Sequence, residues 1–368
     1  MSLSAVHVLL TYRCTDNCHH CFVFSGPHQM ATFTDSRLRN VLDQLRRLPS
    51  VRWVYFEGGE PFLFHPMLVE AVAHATKLGL ATAVVTNGYW ITSERDVGLF
   101  LRPLVAAGLK RLQISVDDVH RYRRLHHMRD QLLAQCRRHR LTLQFLGVDI
   151  PEPNEEPLEA REGRYVTSGD VMFRGRAASN LAPDQALWDW ASFDECPHEL
   201  LHDPMRIHVD PHGYVHICQG TLIGNADGES LDTIMENFDP DAHPIVGPLL
   251  RGGPAALVEE YKLDHEDGYA DACHLCYTAR SQLRERFPDE LGPPSVYGLR
   301  EPKRRKQGRP GKEGPPKPEP MTPEAQEAQE AQDPAPEKPD RERESEKKSD
   351  KDPKGKVNKK PVESGDQK

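Results

Sequence analysis

Residues 6–21 read VHVLLTYRCTDNCHHC, an apolar run that leads directly into three cysteines. The apolar part, residues 6–11, predicts a buried strand, because it is short, rich in Val and Leu, and free of Gly and Pro. The cysteines Cys14, Cys18 and Cys21 form a C-x3-C-x2-C pattern on the loop that follows. Three thiolates on one short loop can hold three irons of a [4Fe–4S] cube and leave the fourth iron open.

A zinc knuckle is the alternative interpretation of this loop. Zinc takes four ligands, and one of the two histidines between the second and third cysteines could supply the fourth. The chain has eight cysteines and no recognisable export signal, so clustered cysteines indicate metal ligands more than disulfides.

Strands and helices alternate through the first half of the chain. Apolar segments predict further strands at 51–56, 81–85, 111–116, 141–148 and, as a sixth, within 171–174. Apolar residues at helical spacing fill the intervals, which is typical of βαβ units around a parallel sheet. We therefore expect an α/β fold, a partial (β/α)6 TIM-like barrel with a small C-terminal α+β extension. Its chemistry should lie at the C-terminal ends of the strands.

Polar motifs follow three of these strands. They are Gly58-Gly59-Glu60-Pro61, Thr86-Asn87-Gly88 and Ser115-Val116-Asp117. Together with the cysteine pattern, and in this order, they resemble the radical SAM superfamily over roughly residues 5–290. The resemblance implies a cluster whose open iron binds S-adenosylmethionine (SAM) through its amino and carboxylate groups.

The resemblance also implies roles for the residues at the strand ends. The segment from Gly58 to Pro61 is implied to contact the amino group of SAM, for which Glu60 or a backbone carbonyl is a suitable acceptor. The polar residues after the third and fourth strands are implied near the ribose and carboxylate of SAM: Thr86, Asn87, Ser115 and Asp117. Glu57 departs from the family pattern, in which Ser or Thr is commoner, and adds an anionic group near the site.

A second set of cysteines lies downstream: Cys196, Cys218, Cys273 and Cys276. Alternating apolar residues around the turn at 210–213 predict a β-hairpin that ends at Cys218, and a predicted helix follows Cys276. This set resembles the SPASM and twitch extensions, which hold auxiliary iron–sulfur clusters. Four thiolates match one fully ligated auxiliary [4Fe–4S] cluster, an arrangement that favours electron transfer. A structural zinc site is the alternative.

Two pairs of residues are weaker candidates. Arg174 and Arg176, in a GRA stretch, could hold the SAM carboxylate or an anionic substrate, or could be surface residues. Asp118 and His120, just past the fourth strand, could act as acid or base, or could cap the next helix.

Three further residues are expected to be structural. Cys136 shares an apolar helical face and is predicted to be a buried core thiol. His208 and His216, on the hairpin face opposite its isoleucines, are expected to face solvent or to support ligands indirectly.

Composition divides the chain into parts. Residues 301–368 contain 34 charged residues, 12 prolines and no aromatic residue, so this segment is predicted to be disordered. We predict a core barrel over 1–180, an auxiliary-cluster domain over 181–295 and a charged, Pro-rich tail over 296–368.

The chain contains no apolar stretch of ~18 residues, which excludes a membrane span. The net charge of −9 argues against nucleic-acid binding by the body.

These observations predict a cytoplasmic radical SAM enzyme that cleaves SAM reductively to a 5′-deoxyadenosyl radical. The radical would abstract hydrogen from the substrate, and an electron donor such as flavodoxin or ferredoxin is implied. The substrate class stays open between a peptide and a small molecule. Because the first strand begins near residue 6, recognition of a peptide leader is expected to need a partner. The alternative from another class is a zinc-binding interaction protein.

Overall fold

The structure is a computed structural model that describes residues 3–116, 123–149 and 166–300. Its strands and helices, in chain order, are β1 (Ala5–Thr11), α1 (Asp35–Gln44), β2 (Trp53–Gly58), α2 (His65–Lys77), β3 (Ala81–Thr86), α3 (Glu94–Ala107), β4 (Arg111–Ser115), α4 (Arg123–Arg138), β5 (Thr142–Asp149), β6 (Val166–Asp170), α5 (Arg176–Asn180), β7 (Trp188–Asp189), β8 (Arg206–Val209), β9 (Tyr214–Cys218), β10 (Thr221–Asn225), α6 (Leu231–Asn237), α7 (Val246–Tyr261), β11 (Gly268–Tyr269) and α8 (Ala272–Leu283).

Nine of these strands form one sheet, in the order β10-β9-β8-β1-β2-β3-β4-β5-β6. Strands β1 to β6 are parallel and each pairs with the next along the chain. On its other side, β1 pairs in parallel with β8, and β9 and β10 then continue the sheet in antiparallel fashion. The predicted α/β fold with a parallel sheet is confirmed.

Local signals in the sequence place several element ends. Thr34 accepts from the backbone N–H of Arg37 and begins α1. Ser93 caps α3 by accepting from the N–H of Asp96, and Gly108 ends that helix in the left-handed conformation at φ 107°. The helices carry apolar faces that pack on the sheet, so the core lies between helices and strands. The predicted core thiol Cys136 is confirmed at 1% exposure.

Two expectations from the sequence are wrong. The sixth strand lies at Val166–Asp170 and not within 171–174, since the strand that pairs with β5 is mostly polar and carries no apolar run. Of the two roles expected for His208 and His216, exposure to solvent is wrong, since they are 3% and 0% exposed, whereas indirect support of ligands stays a prediction. The hairpin joins the main sheet beside β1, and its strands have buried residues on both faces. Burial also lowers the pKa of His208 well below its usual value.

Among the helices of the described residues, none combines the length and the apolar character that crossing a bilayer requires.

Candidate active site

The first three cysteines lie on the loop that leaves the C-terminal end of β1. Cys14 and Cys18 are buried at 8% exposure each, and Cys21 is partly buried. The loop is fixed to the strand end by backbone hydrogen bonds from Cys14 to Gly26 and from Gly26 to Tyr12. Burial raises the pKa of the Cys14 thiol to about 12. A metal that binds this thiol therefore has to displace its proton.

Several N–H groups point at the sulfurs of this loop. The backbone N–H of Asp16 donates to Cys14 Sγ at 3.5 Å, and that of Ser25 donates to Cys21 Sγ at 3.3 Å. The amide of Asn87 lies 3.6 Å from Cys14 Sγ. Such donors stabilise thiolates, which are the form that ligates an iron–sulfur cluster, so the loop fits such a group.

Gly58 and Gly59 are required by backbone packing between β2 and the cluster loop. A Cβ on Gly58 would lie 2.3 Å from the carbonyl oxygen of Thr11, and one on Gly59 would lie 2.1 Å from that of Arg13. The N–H groups of Gly59 and Glu60 donate to those same two carbonyls at 2.7 and 2.8 Å. The glycines therefore bring the end of β2 directly against the start of the loop.

Glu60 is fully buried and ties two strand ends together. Its carboxylate accepts from the N–H of Phe62, the hydroxyl of Thr86 and the N–H of Asn87, all within 3.0 Å. Burial raises the pKa of this carboxyl to about 7, against those hydrogen bonds. The side chain of Asn87 in turn donates to Thr15 and Asp16 of the cluster loop. Glu60 thus positions the strand-end residues that the sequence singled out.

Arg176 holds the cluster loop from the opposite direction. It is 9% exposed, and its guanidinium donates to the carbonyls of Cys18 and Ser25 at 2.7 Å each. Its backbone N–H donates to the carbonyl of Cys21 at 3.0 Å. Gly175, at φ 61°, approaches so closely that a Cβ would lie 2.5 Å from the Cys21 oxygen. Arg176 is therefore not a surface residue.

One cavity of about 730 Å³ connects the strand-end motifs. Its lining includes the three thiols, the two glycines after β2, the polar ends of β3 and β4, and the arginines after β6: Cys14, Cys18, Cys21, Gly58, Gly59, Thr86, Asn87, Ser115, Arg174 and Arg176. Glu60 and Pro61 are not among the residues that line the cavity and lie behind them. The remaining predicted candidates, Asp117, Asp118 and His120, lie outside the described residues.

The second set of cysteines converges on another small cavity. Cys218 ends β9, as predicted, whereas Cys273 and Cys276 lie in the first turns of α8 rather than before it. Cys196 joins them from the loop after β7, and all four line the same cavity. Asp271 caps α8 through the N–H of His274 at 2.6 Å, which fixes the orientation of the turn. Burial raises the pKa of Cys276 to about 11.

Two buried arginines lie beside these four thiols, and only one of them, Arg174, was a candidate from the sequence. Arg174 is 5% exposed and its Nη1 lies 3.0 Å from Cys218 Sγ. Arg280 is 2% exposed, bonds the carbonyl of Gln219 at 3.0 Å and lines the cavity. Its position on α8, one turn after Cys276, is the only sequence signal that could have found it. Two cations beside four thiols suit an anionic metal–thiolate group.

The thiols of neither set form a ready-made tetrahedral zinc site. Within the described ranges, two groups of three potential ligands have all ligand atoms within 4.8 Å of one another, and between them they contain a single cysteine, Cys273. A zinc ion bound tetrahedrally by thiolates at ~2.3 Å would hold the sulfurs about 3.8 Å apart. Neither cysteine set is that compact.

Comparison with known proteins adds the following. Residues 8–143 match the sequence model of the Radical SAM superfamily. PqqA peptide cyclase of Rhodopseudomonas palustris is 37% identical over 115 residues, which are 30% of this chain and 28% of the cyclase. PqqA peptide cyclase of Streptomyces rochei is 35% identical over 113 residues, 30% of this chain and 28% of that protein. The chain thus spans less than a third of the length of either relative.

Among solved structures, BtrN in complex with AdoMet and 2-DOIA is similar to this chain. The superposition covers 75% of this chain and 92% of BtrN, at a TM-score of 0.45 and 16% sequence identity.

Proposed function

We propose, on the premise that residues 8–143 belong to the radical SAM superfamily, that this chain cleaves SAM reductively and removes hydrogen from a peptide. The observation that carries the proposal is the shared cavity, into which four separate strand ends bring three thiols, two glycines and several polar side chains. When bound there, a [4Fe–4S] cluster with one open iron and SAM supply a 5′-deoxyadenosyl radical, which takes a hydrogen atom from the substrate.

The residues of the chain have distinct tasks in this proposal. Cys14, Cys18 and Cys21 would hold three irons, and the N–H donors around them would stabilise the thiolates. Gly58 and Gly59 line the cavity, where their backbone carbonyls would accept hydrogen bonds from the amino group of SAM. Thr86, Asn87 and Ser115 would face the ribose and carboxylate.

The peptide substrate is proposed from the relatives. The two similar PqqA proteins are peptide cyclases by name, and each matches about 30% of this chain. The cavity is partly lined by the exposed side chains of Leu200 and Met205, which could contact an apolar peptide side chain. A small-molecule substrate is the second candidate.

An auxiliary [4Fe–4S] cluster at Cys196, Cys218, Cys273 and Cys276 is also part of the proposal. It is supported by the convergence of the four thiols on one cavity and by the two buried arginines beside them. With four thiolate ligands this group would accept an electron from the substrate radical rather than bind substrate. We propose flavodoxin or ferredoxin as the donor for the first cluster. The cytoplasm is the proposed compartment, because its reducing conditions keep thiols free for metal.

The decisive experiment is anaerobic reconstitution of the chain with iron and sulfide, followed by addition of dithionite and SAM. We expect 5′-deoxyadenosine and methionine from the wild type and none from a variant in which Cys14, Cys18 and Cys21 are replaced by Ala. That variant should retain about half of the iron, because the second cysteine set is intact.

Two results would contradict the proposal. A colourless, zinc-loaded wild type that releases no 5′-deoxyadenosine would indicate a zinc protein. SAM cleavage by the triple variant would show that the loop is not the cluster site.

A further inference from the structure

The side chains of His7, Glu57 and His208, on one face of the sheet, form a compact group that the proposed reaction does not use. Nδ1 of His7 lies 3.2 Å from Oε2 of Glu57, and Nε2 of His208 lies 3.5 Å from Oε1 of the same carboxylate. One ligand atom from each residue can be chosen so that all three lie within 4.8 Å of one another. A tetrahedral zinc ion held at 2.0–2.1 Å would place ligand atoms about 3.3–3.4 Å apart, close to the 3.2 and 3.5 Å between the histidine nitrogens and the carboxylate oxygens.

The group is built on three neighbouring strands, which fixes its geometry. His7 lies on β1 opposite His208 on β8, and Glu57 follows Tyr55, the β2 partner of His7, two residues later on the same face. The ring of His7 is stacked on that of Tyr55 at 4.5 Å between centroids. Sites on paired strands hold their side chains more accurately than sites on loops.

The group is buried on one side and borders the cavity on the other. His208 is 3% exposed and lies behind the other two residues. His7 and Glu57 are 17% and 15% exposed and line the cavity that also contains the cluster loop. An ion bound here would therefore keep free coordination positions directed into the cavity.

Charge and unpartnered atoms in the group point to a missing cation. In the part of the chain that the structure describes, the ion-pair partners of Glu57 are the two histidines. The nearby arginines pair with a different carboxylate: Arg206 lies 3.1 Å and Arg174 lies 3.8 Å from Glu199. Nδ1 of His7, the ring atom that faces Glu57, is buried and has no hydrogen-bond partner among the described residues. Neither has Oε1 of Gln219, whose amide lies 3.1 Å from His208. Buried acceptors without partners are rare in folded proteins.

We propose that His7, Glu57 and His208 bind a divalent first-row transition-metal ion. Two imidazoles and one carboxylate are a ligand set that leaves positions open for further ligands, which here would be oxygen or nitrogen atoms of the molecule in the cavity. The inference goes beyond the proposed function, because metal binding at this point requires neither SAM nor the cluster thiols. It also accounts for Glu57, the residue that departs from the family pattern.

The test is a titration of the reconstituted protein with Mn²⁺, which prefers carboxylate oxygen to thiolate and so avoids the cysteine sets. Free Mn²⁺ is counted by electron paramagnetic resonance. We expect one Mn²⁺ per wild-type chain, and affinity about 10- to 100-fold lower in Glu57→Gln and His208→Gln. Asp43→Asn is the matched control, since Asp43 is an exposed carboxylate that pairs with a single, partly buried histidine, His74, at 2.9 Å. It should bind Mn²⁺ as the wild type does.

A second measurement covers the case in which these variants lose their clusters or fail to fold. Electron spin-echo spectroscopy of Mn²⁺ bound to the wild type should show ¹⁴N couplings from histidine ligands. Absence of these couplings, absence of Mn²⁺ uptake by the wild type at millimolar concentration, or unchanged affinity in a folded Glu57→Gln protein would each overturn the site. None of these results would bear on SAM cleavage, so failure here is separable from failure of the proposed function.

Discussion

Glu60 shows how a single buried carboxyl can organise a site without facing its ligand. It joins the end of β2 to the end of β3, and through Asn87 it reaches the cluster loop. The resemblance placed Glu60 near the amino group of SAM, and that role stays a prediction. The structure shows that the Glu60 side chain is fully buried, at 0% exposure, and burial makes ionisation of its carboxyl unfavourable.

The titration of Glu60 predicts a pH dependence of stability. Its pKa is raised from 4.5 to about 7 in the folded chain, so its contribution is fully present below pH 4.5 and is lost as pH rises through 7. A shift of that size corresponds to on the order of 3 kcal/mol. We expect Glu60→Gln to have a smaller decrease in melting temperature between pH 5 and pH 8 than the wild type. Glu70→Gln, at an exposed carboxyl, serves as control and should keep the wild-type slope.

Arg174 predicts an electrochemical effect. Its guanidinium lies 3.0 Å from Cys218 Sγ and would stabilise the more negative, reduced state of the proposed auxiliary cluster. A hydrogen bond to a charged group is worth ~1.5–3 kcal/mol, so Arg174→Gln should lower the reduction potential by tens of millivolts. A redox titration followed by electron paramagnetic resonance measures this. Arg206→Gln, which removes the more exposed partner of Glu199, should leave the potential unchanged. Equal potentials in Arg174→Gln and the wild type would contradict the electrostatic role.

At the scale of elements, the contact between β2 and the cluster loop depends on glycine. Gly59→Ala would force its Cβ to within 2.1 Å of the backbone oxygen of Arg13, which the N–H of Glu60 holds in place at 2.8 Å. We expect a loss of about 1–3 kcal/mol of stability and reduced iron at the first cluster. Iron content and melting temperature are the measurements.

The control for this prediction is Gly228→Ala, where the nearest atom to the new Cβ would be 3.8 Å away. We expect that variant to stay within about 0.5 kcal/mol of the wild type and to keep its iron. Normal iron content in Gly59→Ala would show that the loop can shift without losing the cluster.

Elements that depend on local pattern could be predicted from the sequence, and those that depend on distant pairing could not. Strands β1 to β5 lie at the predicted apolar segments, which are thereby confirmed, and the ends of α3 coincide with a capping serine, Ser93, and a left-handed glycine, Gly108. Strand β6 is mostly polar, so the apolar pattern predicts it at 171–174, a few residues after its actual position. The group of His7, Glu57 and His208 exists because β8 pairs with β1 some 200 residues away, which no local pattern indicates.

At the scale of the whole molecule, residues 174–176 connect the two cysteine sets. Arg174 contacts Cys218, whereas Gly175 and Arg176 contact the carbonyls of the first cluster loop. The pairing of β1 with β8 provides a second connection, because β8 leads into the strand that ends at Cys218. Two independent links of this kind hold the proposed cluster sites at a fixed separation, which electron transfer between them and a common substrate would require.

Deletion of residues 301–368 is predicted to leave these sites intact. The segment has no aromatic residue and half of its 68 positions are charged, so it has little apolar surface to contribute to a core. We expect the truncated chain to keep its iron, its SAM cleavage and a melting temperature within about 2 °C of the full chain. A decrease of several degrees would show that the segment packs against the rest.

The central place of β1 has a consequence for synthesis on the ribosome. Its partner β2 is complete at Gly58, but β8 is complete only at Val209, about 150 residues later. Translation at 5–20 residues per second leaves that interval at roughly 8–30 s. During this time the nascent chain carries a free, apolar strand edge, the kind of surface that pairs with other chains. Yield of intact protein should therefore depend on translation speed and on chaperones that shield the amino-terminal strand until the hairpin emerges.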